Sequence, residues 1–185
     1  MLPLIRANGR DVSTRQIADA AGVAEGTIFR AFGDKESLIN AAIAQLFDPL
    51  PLILALQRID ATLPLEVRVA EVIVALRDRF SQVRAVMASL GLHARPPIDD
   101  SSRLHWLQAL EEVFAADTDR LAIPVSEFAQ YLRLLAFSSA IEPIAGDRPL
   151  SAAQLAGLVV TGALRPGEQA VCPHHLVTEP PTTEN

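Results

Sequence analysis

Ser13–Asn40 reads STRQIADAAGVAEGTIFRAFGDKESLIN, and this stretch decides the fold. Ser13, followed three residues later by Gln16, is the signature of a capping box, in which two side chains satisfy free amides at the start of a helix. Gly22 can adopt the left-handed conformation that ends a helix without strain, and Val23 is expected to return to the core. The stretch therefore predicts a short helix followed by a tight turn.

A second helix begins after this turn. Helical spacing places Ala24, Ile28 and Phe32 on one side and leaves Gly26 and Arg30 pointing away from it. Two helices joined in this way form a helix-turn-helix, whose second helix would enter the major groove of DNA.

Residues 14–43, TRQIADAAGVAEGTIFRAFGDKESLINAAI, resemble the DNA-binding segment of the TetR (tetracycline-repressor-like) family of bacterial regulators. The resemblance is carried by short groups spaced across three helices: Ile17-Ala18, Ala21-Gly22-Val23, Gly26-Thr27, Phe29, Phe32, Asp34-Lys35-Glu36 and Leu38. It implies an all-α protein with an N-terminal helix-turn-helix domain and a larger C-terminal helical domain for ligand binding and dimerisation. The family has a first helix of several turns, whereas Leu2–Gly9 supplies only about two. We therefore expect either a shortened N-terminus or a true start upstream.

Composition agrees with this class of protein. The chain has 185 residues, half of them hydrophobic, and a single cysteine, which excludes an intramolecular disulfide. It shows no signal-peptide pattern and no run of 18 apolar residues, so we expect a cytoplasmic protein without a membrane span. The net charge is −6, but residues 1–35 carry five basic and four acidic groups. The remaining chain is acidic and would repel DNA except at one end.

Eight residues in or beside the first helices are predicted to contact DNA: Thr14, Arg15, Glu25, Gly26, Thr27, Phe29, Arg30 and Lys35. We expect Thr14, Arg15 and Lys35 to bind phosphates, because they lie at helix starts. Base reading is assigned to Gly26, Thr27 and Arg30, since arginine is the commonest reader of guanine.

Four of these assignments have alternatives. Glu25 would repel phosphate unless it accepts a hydrogen bond from a cytosine amino group. Phe29 replaces the tyrosine usual in the family and lacks its hydroxyl, so apolar contact or simple packing is expected there. Arg30 could be a solvated charge, and Lys35 an exposed lysine of no consequence.

Asp48–Pro51 interrupts the helical pattern and divides the chain into domains at residues 1–48 and 49–164, with a proline-rich tail at 165–185 expected to be disordered. A long helix is predicted from Leu65 to about Leu92, and further helices over 128–143 and 151–164. The first of this last pair is apolar nearly all round, so it needs a partner besides its own domain.

The simplest partner is a second copy of the chain, and the resemblance implies a dimer through the last two helices. The expected interface residues are Phe128, Tyr131, Leu135, Ser138, Leu155, Leu158 and Gly162. The alternative is that these helices form only a monomer core.

The resemblance also implies a small-molecule cavity among the central helices. Candidate ligand-binding residues are Phe80, Met87, His105, Trp106, Phe114 and Phe137, each of which could equally be plain core. The apolar composition favours a hydrophobic effector, with His93 or His105 as polar anchors.

No phosphate-binding loop, nucleophile elbow or metal-spaced cluster is found in the body of the chain, so neither an enzyme nor a cofactor or metal site is expected. Cys172, His174 and His175 lie in the tail without a fourth ligand. The sequence therefore predicts a TetR-type repressor that binds a palindromic operator as a homodimer and is released by a hydrophobic ligand. The alternative is a helical ligand-binding or dimerisation protein whose DNA head is no longer competent.

Overall fold

The computed structural model describes residues 1–92, 100–141 and 147–164, and these ranges are all-α, as predicted. His93 and the tail with Cys172, His174 and His175 lie outside the described residues. The helices are α1 (Leu2–Asn8), α2 (Thr14–Ala21), α3 (Glu25–Phe32), α4 (Lys35–Leu46), α5 (Leu50–Gln57), α6 (Leu65–Ser89), α7 (Asp100–Phe114), α8 (Val125–Ser139) and α9 (Ala152–Ala163). Short 3-10 helices occupy Gly9–Asp11 and Ala115–Asp117.

The turn between α2 and α3 forms as its residues predict. The backbone amide of Ser13 donates to Gln16 Oε1, and the amide of Gln16 donates to Ser13 Oγ, which completes the capping box. Gly22 is left-handed, with φ 69° and ψ 29°. The next amide, that of Val23, donates to Ala18 O at 3.0 Å, which closes the end of α2. The Val23 side chain is 40% exposed, so its predicted return to the core is wrong.

The N-terminal domain has its own hydrophobic core, which α6 completes. Ile5, Ile17, Ile28 and Leu38 are buried together with Val86 and Leu90 from the end of α6. α4 ends at Leu46 and α5 begins at Leu50, and α6 contributes residues to both cores. This helix therefore packs in both cores.

The contact between α1 and α6 depends on a glycine. Gly9 ends α1 with φ 56°, and a Cβ added there would lie 2.3 Å from the backbone oxygen of Ser89. Ser89 Oγ also donates to Ile5 O, and Arg10 Nε donates to Leu90 O. The first helical segment is thus held against the C-terminal end of α6.

The larger core surrounds α6, on which both α8 and α9 pack. Arg77 of α6 donates to Ser139 Oγ at the end of α8 and to Leu150 O before α9, which holds these two segments to the same helix. Burial lowers the pKa of the Arg77 guanidinium, because desolvation disfavours its charged form. A single antiparallel bridge joins Leu121 and Leu164 within the described ranges.

A buried ion pair joins α6 to the segment after α7. Arg68 is 4% exposed and Asp117 is 2% exposed, and Arg68 Nη2 lies 2.6 Å from Asp117 Oδ2. Arg68 also donates to the carbonyls of Leu63 and Val113, and Arg120 contacts the second carboxylate oxygen at 2.9 Å. All the polar atoms of the carboxylate are therefore satisfied inside the core.

One stretch, Lys35–Gln57, is apolar and long enough to meet the composition expected of a membrane span. In the structure it is two helices, because α4 ends at Leu46 and α5 begins at Leu50. Its members Leu38, Ile39, Leu52 and Leu56 are core residues. Buried helices of this kind pass the same composition test, so the stretch is weak evidence for membrane insertion.

Candidate nucleic-acid interface and cavity

The outward face of α3 carries the residues predicted to read bases. Ile28 is buried and anchors the helix to the N-terminal core, whereas Gly26, Thr27 and Arg30 are exposed on the opposite side. Phe29 is 47% exposed, so about half of its surface is open to solvent. The helix therefore presents small, hydroxyl, aromatic and cationic groups to solvent on one surface.

Gly26 has no packing reason to be glycine. It has an ordinary helical backbone, and a Cβ built there meets no atom within 4 Å. Glycine also disfavours a helix relative to alanine. The fold therefore neither requires nor favours glycine at position 26. A glycine there is consistent with another molecule that approaches the backbone of α3 closely.

Thr14 and Glu25 contact each other across the turn. Thr14 Oγ1 donates to Glu25 Oε1 at 2.5 Å, which joins the first turn of α2 to the first turn of α3. A hydroxyl has one hydrogen to donate, so this bond uses the donor that was predicted to bind a phosphate. In the structure Thr14 therefore holds Glu25, and Glu25 is half-buried; the DNA contacts predicted for these two residues stay predictions.

The start of α4 is already occupied by a carboxylate. Asp34 Oδ1 accepts from the backbone amide of Ser37 at 2.7 Å, and this bond lowers the pKa of the Asp34 carboxyl. The free amides expected to converge on a phosphate with Lys35 are therefore partly used. Lys35 remains half-buried at the first position of α4, and Arg15 is exposed at the start of α2. Their side chains place two cationic groups beside α3.

A cavity of about 760 Å³ lies between the end of α4, the second half of α6 and α8. Four of the predicted ligand-binding residues line it: Phe80, Met87, Trp106 and Phe137. The rings of Phe80 and Phe137 meet edge to face, with centroids 5.3 Å apart. The cavity lies within the size range of small-molecule sites.

The other two ligand candidates lie elsewhere. Phe114 is fully buried and packs edge to face against Phe128, with ring centroids 5.1 Å apart, so it is a core residue. His105 is exposed on α7 and is not part of the cavity wall. The same helical spacing describes a core face and a cavity face, which is why the sequence could not separate them.

Three arginines of the cavity wall were missed by the sequence analysis: Arg79, Arg84 and Arg133. They lie on α6 and α8 among apolar residues, where a charge on an amphipathic helix is normally assigned to the solvent side. No sequence signal distinguishes an arginine that faces solvent from one that faces an open cavity.

The predicted dimer residues fall into two groups. Phe128 is fully buried and Leu155 is 6% exposed, so both belong to the core and are corrected. Leu135 is half-buried against that core, and Ser138 is half-buried with its hydroxyl donating to Leu135 O. Tyr131, Leu158 and Gly162 are exposed, and Leu134 beside them was not predicted. The exposed apolar side chains on α8 and α9 are the part of the prediction that is still available to a partner.

Metal binding finds no scaffold in the described ranges, where no group of three His, Cys, Asp or Glu side chains is positioned to hold an ion.

Residues 4–42, which run from α1 into α4, match the sequence model of the family described as bacterial regulatory proteins, tetR family. A comparison with curated proteins finds no match. Among solved structures, a TetR family protein from Vibrio parahaemolyticus, described as a transcriptional regulator, aligns over 89% of this chain and 94% of its own. Its TM-score is 0.51 and its sequence identity 18%, which shows a shared fold. The resemblance found in the sequence is thereby confirmed for residues 4–42, which match the model of the tetR family, and the chain shares its fold with a TetR family protein.

Proposed function

We propose that this protein is a repressor that binds a palindromic operator as a homodimer and is released by a small hydrophobic ligand. The main support for DNA binding by α3 is the exposed face of this helix. Its backbone is uncovered at Gly26, so another molecule can approach it closely. A recognition helix needs such a face, because its N-terminal residues approach the base edges in the major groove.

The residues on this surface divide into two roles. Arg30 and Thr27 are exposed donors on α3 and are assigned to base edges, with Gly26 allowing the close approach. Arg15 and Lys35 flank the helix and are assigned to phosphates. Val23 and Phe29 add exposed apolar surface that suits a thymine methyl group.

Dimerisation is supported by apolar side chains that the single chain leaves in solvent. Leu158 of α9 is 64% exposed, and Tyr131 and Leu134 of α8 are about half exposed. Exposed apolar patches of this kind mark protein interfaces. A two-fold dimer would place two α3 helices on the half-sites of a palindrome.

Effector binding is supported by the cavity beside α6. Phe47 and Pro49, at the junction of α4 and α5, line it together with Met87 near the end of α6. A ligand there would contact both the junction of α4 and α5 and helix α6, which completes the N-terminal core. We assign no catalytic activity or cofactor to the chain, in keeping with a family of transcription factors, and we place it in the cytoplasm with its DNA.

The test is fluorescence anisotropy with labelled DNA from the region flanking the protein's own gene. We expect Arg30→Ala to weaken specific binding by about 10- to 100-fold, since a good bidentate base contact is worth about 1–3 kcal/mol. Gly26→Ala should weaken it while leaving the protein at least as stable as wild type. Arg58→Ala is the matched control, because Arg58 is exposed at the end of α5, far in sequence from α3.

Absence of specific binding by a folded wild-type dimer would overturn the proposal and leave the ligand-binding dimer as the function. The dimer itself is tested by light scattering of Leu158→Glu, which should become monomeric. A wild-type protein that is monomeric at the concentrations used for DNA binding would overturn the dimer.

A further inference from the structure

The cavity wall is positively charged. Its described lining contains three guanidinium groups, from Arg79, Arg84 and Arg133, and no carboxylate. The rest of that lining is apolar or aromatic. A neutral hydrophobic ligand would give no reason for this charge.

Two of these arginines have no acidic partner in the described parts of the chain. The ion pairs found there involve Arg10, Arg68 and Arg120, and none involves Arg84 or Arg133. Arg133 is half-buried, with its guanidinium carbon 6.0 Å from the centre of the Trp106 ring. Arg84 is exposed at the edge of the cavity.

A half-buried charge beside an apolar cavity gains from a counter-ion that enters with a ligand. Guanidinium groups match the planar fork of a carboxylate and can bind both of its oxygens. We infer that the effector is an amphipathic carboxylate, with an apolar chain in the cavity and a carboxylate held by Arg133 and Arg84. This inference rests on the proposed role of the cavity as the effector site.

The third arginine connects the cavity to the DNA-binding domain. Arg79 Nη2 donates to Leu46 O at 2.5 Å and to Asp48 O at 2.7 Å, at the C-terminal end of α4. These carbonyls have no partner within the helix, so the guanidinium caps it. A carboxylate in the cavity would compete for Arg79 and loosen this cap. Because Leu46 belongs to the N-terminal core, the loosening would reach the packing behind α3.

The test uses the single tryptophan, Trp106, which lies in the cavity wall and reports occupancy by its fluorescence. Dodecanoate, below its micelle concentration, is titrated against wild type, Arg133→Gln, Arg133→Lys and Arg58→Gln. Dodecan-1-ol is the matched neutral probe. We expect dodecanoate to bind wild type at least about tenfold more tightly than the alcohol, with this preference lost in Arg133→Gln. Arg133→Lys should recover most of it, and Arg58→Gln should match wild type.

Equal binding of the acid and the alcohol, or an unchanged preference in Arg133→Gln, would overturn the carboxylate inference, as would absence of dodecanoate binding. A parallel anisotropy titration with DNA separates the two proposals. If wild type binds specific DNA but not dodecanoate, only the effector class fails. If it binds dodecanoate through Arg133 but no specific DNA, the repressor fails and the carboxylate site stands.

A second arm tests the coupling. Dodecanoate should release wild-type protein from DNA, and Arg79→Met should bind DNA more weakly than wild type and respond less to dodecanoate. An Arg79→Met variant whose DNA affinity and response equal those of wild type would overturn the role of the α4 cap.

Discussion

Replacing Asp117 by asparagine should strongly destabilise the larger core. The carboxylate is 2% exposed and accepts from both Arg68 and Arg120. Asparagine removes the negative charge and offers one oxygen acceptor instead of two, so the Arg68 guanidinium, itself 4% exposed, keeps the carbonyls of Leu63 and Val113 but loses its counter-charge. An uncompensated charge remains inside the core.

The magnitude follows from that geometry. Breaking a buried ion pair by removing one partner costs about 3–5 kcal/mol. A domain of this size has about 5–15 kcal/mol of stability, so the variant keeps a reduced part of it. At about 2–4 °C for each kcal/mol in a chain of this length, the melting temperature should fall by about 6–20 °C.

The assay is urea unfolding followed by circular dichroism, with thermal melts as a second readout. Arg120→Met is the matched control, because Arg120 contacts the same carboxylate from a side chain that is 37% exposed. Its loss should be smaller than that of Asp117→Asn, because the Arg120 side chain is partly exposed and the carboxylate keeps its buried contact with Arg68. A decrease in the free energy of unfolding below about 1 kcal/mol for Asp117→Asn, or equal decreases for the two variants, would contradict the expectation that the buried contact with Arg68 contributes most to stability.

Three further variants test other parts of the structure. Gly9→Ala should cost about 1–3 kcal/mol in urea unfolding, since its Cβ would strike Ser89 O, and Gly91→Ala should cost less because its φ is also positive but its surroundings are open. The Ser37 amide lowers the pKa of the Asp34 carboxyl below 3.8, so the stability that this hydrogen bond adds is present above that pH and is lost as the pH falls through the lowered pKa. Asp34→Asn should lack this loss of stability in acid. Melting temperatures of wild type and Asp34→Asn that change in parallel at every pH would contradict this expectation. Thr14→Val should weaken DNA binding in an anisotropy titration by freeing the Glu25 carboxylate, and adding Glu25→Gln should restore it; no effect of Thr14→Val would remove the role given to this hydrogen bond.

The helix-turn-helix could be predicted from sequence because its signals are local. Ser13, Gln16 and Gly22 act through backbone groups within a few residues, so their roles follow from spacing alone. Val23 depended instead on how α2 and α3 pack, and it is exposed. The Thr14–Glu25 hydrogen bond likewise needs the angle between two helices, which spacing does not give.

The larger domain shows the same limit more strongly. Periodicity correctly identified apolar faces on α6 and α8, but it could not tell which apolar residues face the core, the cavity or solvent. Phe114 was predicted to line the ligand cavity and Phe128 the dimer interface, and both are fully buried, while Tyr131 and Leu158 are exposed. The position of the arginines in the cavity wall could not be predicted, because it depends on how α6 and α8 pack against each other.

We propose that α3 reads DNA from a surface anchored by basic side chains. The salt dependence of DNA affinity tests this most directly. Anisotropy titrations of wild type and Lys35→Ala are run on the flanking DNA and on scrambled DNA at several salt concentrations. We expect tight binding to the flanking DNA alone, a steep linear fall of log affinity with log salt, and a slope reduced by about one in Lys35→Ala. Equal binding to both DNAs, or an affinity that does not change with salt, would contradict this proposal.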